Sequence, residues 1–193
     1  MNCFRGFTVP LWKVFSGNLL MLTAIVFYIT WWTAAFRSNG GYRTARAIFF
    51  ISLALLAGVA AIMTLSLGIK SLASPGKSYP VTYILLGAVV LYILLVVITK
   101  IGFQRPVTSE LLLITIWGAL EGSAIAVLRS NDRFSLVQTL TLAALVLLAT
   151  CTGIVCYILY YRLDEVTRFW NGLIPLIADA GVVTVFLTVL ALS

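Results

Sequence analysis

Histidine is absent from the chain, and the only cysteines are Cys3, Cys151 and Cys156. Without histidine, haem ligation through imidazole, histidine general-base catalysis and most zinc sites are excluded. Cys151 and Cys156 lie five residues apart in one apolar run, and a helix would rotate them by about 140°. They therefore cannot form a disulfide with each other. We predict no metal site and no cofactor.

Charged side chains are scarce, at 10% of the residues, whereas apolar residues make up 62%. A soluble domain with this balance would expose large apolar patches. Four stretches carry no charge: residues 14–36, 47–69, 78–99 and 134–161. Each is long enough for a helix of about 20 residues to cross the hydrocarbon core of a bilayer. Residues 111–128 and 169–193 each add a run with a single acid. The pattern predicts an all-α, polytopic membrane protein with six transmembrane helices, and five is the alternative.

The predicted spans are joined by short connections, which leave no room for an inserted soluble domain. Residues 1–17 mix aromatic, aliphatic and basic side chains, a composition that is typical of an interfacial segment. A cleaved signal peptide is the disfavoured alternative, because the apolar run that follows is too long. We therefore predict an interfacial segment over residues 1–17 and a single six-helix transmembrane domain over residues 18–193.

The formal net charge of +7 raises the question of a nucleic-acid partner. The thirteen basic residues are spread over every connection and form no stripe, so we interpret them as bilayer anchors and predict no nucleic-acid partner. They are divided almost evenly between the two sides of the predicted topology, which leaves the orientation open. We expect the protein in a cytoplasmic (inner) membrane, with the lipid bilayer as its principal partner.

Common catalytic motifs are also missing from the sequence. It contains neither a phosphate-binding loop of the Walker type nor a Gly-x-Ser-x-Gly nucleophile elbow. No lysine lies in the middle of a predicted span, which argues against a retinal Schiff base. We therefore predict no catalytic residues, and a function other than catalysis is favoured.

One acid, Glu121, lies near the middle of the fourth predicted span. Trp117 precedes it by one turn on the same helix face. Gly118 and Gly122 form a small-xxx-small pair beside it, which would allow a second helix to approach closely. A carboxylate at the centre of the bilayer costs about 2.5–3.5 kcal/mol on insertion scales. We therefore expect this carboxyl to be protonated, hydrated or bound to a cation.

A second acid, Asp179, lies about eight residues into the sixth predicted span. The fourth and sixth spans cross the membrane in the same direction, so Glu121 and Asp179 should differ in depth by only about 3 Å. Two carboxyls at one depth could share a site and titrate as a pair. Pro175 removes a backbone hydrogen bond four residues before Asp179, which predicts either a kinked or broken helix or a proline in an ordinary first turn.

The first predicted span ends in the aromatic run FYITWWTAAF, followed by Arg37. One interpretation is an aromatic belt at the level of the lipid headgroups. The other is an aromatic box for an apolar or cationic ligand, which requires Tyr28 and Trp32 to face the protein interior.

These observations predict a membrane protein that binds or transports a small solute, with proton or cation coupling through its intramembrane acids. Glu121 and Asp179 are the predicted substrate- or proton-binding residues, and Trp117 and Tyr28 are predicted to line the site. One alternative is a membrane-embedded enzyme acting on a lipid or isoprenoid, with Arg162 or Arg129 holding a headgroup phosphate. Another is an accessory subunit that docks to a membrane partner, or to a second copy, through small-residue helix faces.

Overall fold

The computed structural model describes residues 8–37, 45–73, 79–102, 109–160 and 162–193. Within these ranges the chain forms six α-helices and no strand. The helices are α1 (Val9–Arg37), α2 (Ala45–Leu72), α3 (Tyr79–Val97), α4 (Ser109–Ser130), α5 (Leu136–Tyr160) and α6 (Glu165–Leu192). A π-helical turn, Ile98–Gly102, follows α3. All six helices are long and apolar enough to cross a membrane. The prediction of an all-α integral membrane protein with six spans is confirmed.

The first helix begins earlier than the charge pattern predicts. The second half of the predicted interfacial segment belongs to α1, in which Leu11 and Val14 are buried. The partly buried Lys13 lies within this helix. Residues 1–7, which include Cys3, are outside the described residues. An interfacial role for them stays a prediction.

The chain divides into two compact units. Unit 1 comprises residues 1–71 and 176–193 and contains α1, α2 and the C-terminal part of α6. Unit 2 comprises residues 72–175 and contains α3, α4, α5 and the first part of α6. The single transmembrane domain over residues 18–193 stays a prediction.

In unit 1, α1 and α2 approach each other at two glycines. A Cβ atom on Gly17 would lie 2.8 Å from the backbone nitrogen of Leu65, and one on Gly68 would lie 2.9 Å from the backbone nitrogen of Val14. Small buried residues recur on α2 at every seventh position: Ala47, Ala54, Ala61 and Gly68. Their small size allows two helix backbones to come close, which is a principal source of packing energy in membranes.

In unit 2, α4 packs against both α3 and α5. Leu95 of α3, Leu111 of α4 and Tyr157 of α5 form a common apolar cluster. A Cβ atom on Gly153 of α5 would lie 3.4 Å from side-chain carbons of Ile114, so these two helices are in close contact.

The connection between α4 and α5 is held by local caps. The amide of Arg133 donates to the Leu128 carbonyl and that of Asp132 to the Arg129 carbonyl, which is a Schellman motif. Asp132 occupies its left-handed position with a φ of 57°. Ser135 and Gln138 then exchange side-chain to backbone hydrogen bonds at 2.8 and 3.2 Å, forming the capping box of α5.

Asp164 caps the N-terminus of α6, which begins at Glu165. A carboxylate oxygen of Asp164 accepts a hydrogen bond from the amide of Thr167 at 3.2 Å. Hydrogen bonds from Thr167 hold the pKa of Asp164 below its usual range. The helix is continuous through Pro175, which lies in its eleventh position. Pro175 therefore neither breaks the helix nor lies in its first turn, and its missing N–H frees the carbonyl of Asn171 from the helical ladder.

Candidate functional site

Buried polar side chains are concentrated on α4, the most buried of the six spans. Six polar or charged side chains are buried in the part of the chain that the structure describes, and three of them belong to α4: Thr115, Glu121 and Ser123. A helix that only packs in a membrane has little reason to carry such groups, because desolvating a polar group costs free energy unless it is bonded. This concentration makes α4 the centre of the candidate site.

Glu121 is the thirteenth of the 22 residues of α4, and its side chain is 0% exposed. Trp117, 6% exposed, lies one turn earlier on the same face of the helix. Side chains of a helix lean towards its N-terminus, so the Glu121 side chain extends over the turn that carries Trp117. These two predicted site residues therefore lie on one face of α4, one turn apart.

The indole Nε1 of Trp117 and the hydroxyl oxygen of Ser123 are buried and have no hydrogen-bond partner among the described residues. Hydroxyls elsewhere in unit 2 behave differently: Thr115 and Thr150 each donate at 2.8 Å to the carbonyl four residues earlier. Ser123 is rotated from Glu121 by about 200° and therefore faces the other side of α4. The indole N–H of Trp117, in contrast, lies on the same side of α4 as Glu121.

The glycine pair beside Glu121 contacts both neighbouring helices. A Cβ atom on Gly118 would lie 2.8 Å from the hydroxyl oxygen of Thr150 in α5. A Cβ atom on Gly122 would lie 3.7 Å from a methyl carbon of Ile84 in α3. The predicted close approach of a helix is confirmed for Gly118, and the two glycines together keep α3 and α5 close to the turn that carries Glu121.

We expect Gly118→Ala to destabilise the protein and Thr150→Ala to restore most of the loss. The new methyl group would meet the Thr150 hydroxyl oxygen at 2.8 Å, and overpacking of this kind costs about 1–3 kcal/mol. Removing that hydroxyl opens the space that the methyl group needs. Thermal unfolding of the two single variants and the double variant in detergent measures the coupling as a double-mutant cycle. Additive effects of the two substitutions would contradict the contact.

Asp179 belongs to unit 1, whereas Glu121 belongs to unit 2. Asp179 is the fifteenth residue of α6 and is partly buried. It lies on the buried stripe of that helix, in line with Val183, Phe186 and Leu190. Among the described residues it has no hydrogen-bond or ion-pair partner. A site shared by the two acids stays a prediction.

Asn18 in α1 is a candidate residue that the sequence reasoning missed. Its side chain is 0% exposed, and its Nδ2 donates to the carbonyl of Val14 at 3.1 Å. That bond fixes the orientation of the amide, since only the nitrogen can donate to a carbonyl. The amide oxygen has no partner among the described residues. The sequence does show an amide side chain within an apolar span, but the prediction of site residues considered only charged side chains within the spans.

Tyr28, the fourth predicted site residue, lies in unit 1 and is partly buried. Its ring packs against Trp31 at a centroid distance of 5.1 Å, and Trp31 packs in turn against Trp32 at 6.1 Å. Trp32 is only 8% exposed, so one member of the proposed aromatic box faces the interior. Tyr28 and Trp117 belong to different units, and a common role for them stays a prediction.

The arginines of the alternative lipid site lie at the helix ends. Nη1 of Arg129 donates to the carbonyl of Phe134 at 3.0 Å, within the connection between α4 and α5. Asn131, next to it in this connection, donates to the carbonyl of Leu72 at 3.1 Å. Arg162 is exposed just beyond α5. The contact of Arg129 holds the connection between α4 and α5, and a phosphate-binding role of either arginine stays a prediction.

In the described ranges, no group of three or more Cys, Asp or Glu side chains could hold a metal ion. No family model, curated protein or solved structure matches the chain. The function must therefore be argued from the buried polar groups.

Proposed function

We propose that the protein binds a small solute within its membrane spans and carries it across the bilayer, with Glu121 as the central binding group. The observation that supports this most strongly is the complete burial of Glu121 in the middle of α4, next to a tryptophan whose N–H has no acceptor among the described residues. Ionisable groups inside a membrane are costly and characteristically mark substrate or ion pathways.

The same burial supports coupling to a proton or a cation. The charged form of a carboxyl group is poorly solvated in a medium of low dielectric, so binding of a proton, a cation or a ligand stabilises the group there. Exchange of one neutralising species for another is the basis of coupled transport. Asp179 of α6 is the second acid that we assign to this cycle, and the cytoplasmic membrane is the location that we propose.

Infrared difference spectroscopy of the carboxyl groups tests this proposal. Purified wild-type protein should show a protonated-carboxyl band that responds to the pH of the bulk solution and is missing in Glu121→Gln. If the two acids act together, the band of the Glu121 carboxyl group should shift in Asp179→Asn. The matched control is Glu110→Gln, in the exposed first turn of the same helix, which should leave the band unchanged.

The opposite result has a defined meaning. If neither acid responds to bulk pH, and neutralising them changes only the thermal stability, both are structural groups. The proposal of a solute site at Glu121 would then be wrong.

A further inference from the structure

We infer that the site at Glu121 takes a small organic cation, specifically an amine that carries a hydrogen-bond acceptor close to its nitrogen. This inference rests on the proposed function and specifies the chemical class of the solute. Its basis is the pair of side chains that α4 presents on one face, the carboxyl of Glu121 and the indole of Trp117.

The positive charge of the solute is indicated by the combination of these two groups. A carboxylate offers a counter-charge, and the face of an indole ring is the best aromatic surface for a cation. The four-residue spacing places both side chains on one face of the helix, with Cβ atoms about 5–6 Å apart. Both side chains are more than nine-tenths buried, so each interaction would take place away from water, where it is strongest.

The indole N–H of Trp117 indicates that the solute carries a hydrogen-bond acceptor. The indole nitrogen can only donate a hydrogen bond, and in this structure it has no acceptor among the described residues. An alkali ion or a tetraalkylammonium ion has no lone pair to offer and would leave this donor unsatisfied. An amine with a hydroxyl or carbonyl oxygen can bind the carboxyl through nitrogen and the indole N–H through oxygen.

The closeness of the neighbouring helices limits the solute to a few non-hydrogen atoms. A Cβ atom on Gly118 would lie 2.8 Å from the Thr150 hydroxyl oxygen, and one on Gly122 would lie 3.7 Å from a methyl carbon of Ile84. One turn beyond Glu121 on the same face of α4, Ala124 and Ile125 are also buried. A bulky amphiphilic cation would require these contacts to be broken.

Two amines of nearly equal size provide the test: 2-aminoethanol carries the acceptor, and propylamine has a methyl group in place of the hydroxyl group. Binding to the purified full-length protein in detergent is measured by isothermal titration calorimetry. Wild type should bind 2-aminoethanol about tenfold more tightly than propylamine, the ratio expected for one buried hydrogen bond.

Three variants assign the contacts. Trp117→Phe keeps an aromatic face but removes the N–H, so it should bind both amines with equal affinity. Glu121→Gln removes the counter-charge and should bind neither. The control Trp170→Phe, at an exposed position outside the site, should behave as wild type. Retention of the preference for 2-aminoethanol in Trp117→Phe would overturn the assignment of the acceptor.

Failure of this inference can be told apart from failure of the proposed function. If neither amine binds while the carboxyl of Glu121 still responds to bulk pH, the solute is not an amine and the inference is wrong, but the site remains. If sodium chloride alone stabilises wild type and not Glu121→Gln, the site takes an inorganic cation, which also overturns the inference. If the infrared response is absent as well, both proposals fail together.

Discussion

Gly17→Ala is expected to unfold or strongly destabilise unit 1. The added Cβ would lie 2.8 Å from the backbone nitrogen of Leu65 and 3.0 Å from both its Cα and its Cβ. A backbone cannot rotate away as the end of a side chain can, so α1 and α2 must separate to admit the methyl group. Overpacking lowers the free energy of unfolding by about 1–3 kcal/mol and occasionally more, and we expect a loss at the upper end of this range for Gly17→Ala. For a protein of this size, we expect the midpoint of thermal unfolding to fall by about 5–10 °C.

The contact can be tested from both of its sides. Gly68→Ala should have a similar effect, because its Cβ would lie 2.9 Å from the backbone nitrogen of Val14. Gly181→Ala in α6 is the matched control, since a Cβ there would have no atom within 4 Å. This control should be neutral or stabilising by up to about 1 kcal/mol, because alanine favours the helix more than glycine does. Equal melting temperatures for Gly17→Ala and Gly181→Ala would contradict the α1–α2 packing.

The positions of the six helices could be predicted because charges are rare in this chain and mark the ends of the spans. The beginning of α1 could not be predicted in this way. If charged residues mark the ends of the spans, the first span cannot include Lys13. In the structure, α1 begins at Val9 and includes Lys13. A lysine can lay its aliphatic stem along a helix while its ammonium group reaches towards water. Its Cβ lies only 3.1 Å from the position that a Cβ of Gly68 would take, so the stem is part of the packing.

The two glycines at the contact of α1 with α2 could not be predicted from the sequence pattern. A search for two small residues four apart finds Gly118 and Gly122 within one helix. Gly17 and Gly68 act as a pair across two helices, and their partnership depends on how α1 and α2 cross. That crossing is a tertiary property, determined by side chains that meet from distant parts of the chain.

The candidate site could be predicted only where it carries a charge. Glu121 and Trp117 were found because an acid in an apolar run is conspicuous, and helical periodicity then places the tryptophan beside it. Asn18 and Ser123 scarcely change the hydropathy of their spans. Whether a buried amide or hydroxyl is satisfied depends on its neighbours in space, as the bonded Thr115 and the orphaned Ser123 of the same helix demonstrate.

Asn18→Leu is expected to make the protein more stable. The amide oxygen of Asn18 is fully buried without a hydrogen-bond donor among the described residues, and such a group costs about 1–3 kcal/mol. Leucine has the same branching and the same number of side-chain heavy atoms as asparagine but no polar atoms, so it removes this penalty without leaving a hole. The lost bond from Nδ2 to the Val14 carbonyl matters less, because that carbonyl lies inside α1 and also accepts the helical hydrogen bond.

Asn171→Leu is the matched comparison for this prediction. The amide of Asn171 is also buried, but its Nδ2 donates at 2.7 Å to the carbonyl of Cys156, which lies near the end of α5. Its replacement removes a bond between two helices and should lower the melting temperature, whereas Asn18→Leu should raise it. If both variants lose stability to the same extent, the oxygen of Asn18 has a donor after all, and its role is structural.

A stabilising Asn18→Leu substitution would also bear on function. Proteins accumulate few unsatisfied buried groups unless the groups serve a purpose, and stability is characteristically given up at sites that bind or move a ligand. We therefore expect the more stable variant to transport less, although it folds better. Measuring the melting temperature and solute uptake on the same preparation separates this outcome from a loss caused by misfolding. Unchanged uptake in a stabilised variant would contradict a role of Asn18 in transport.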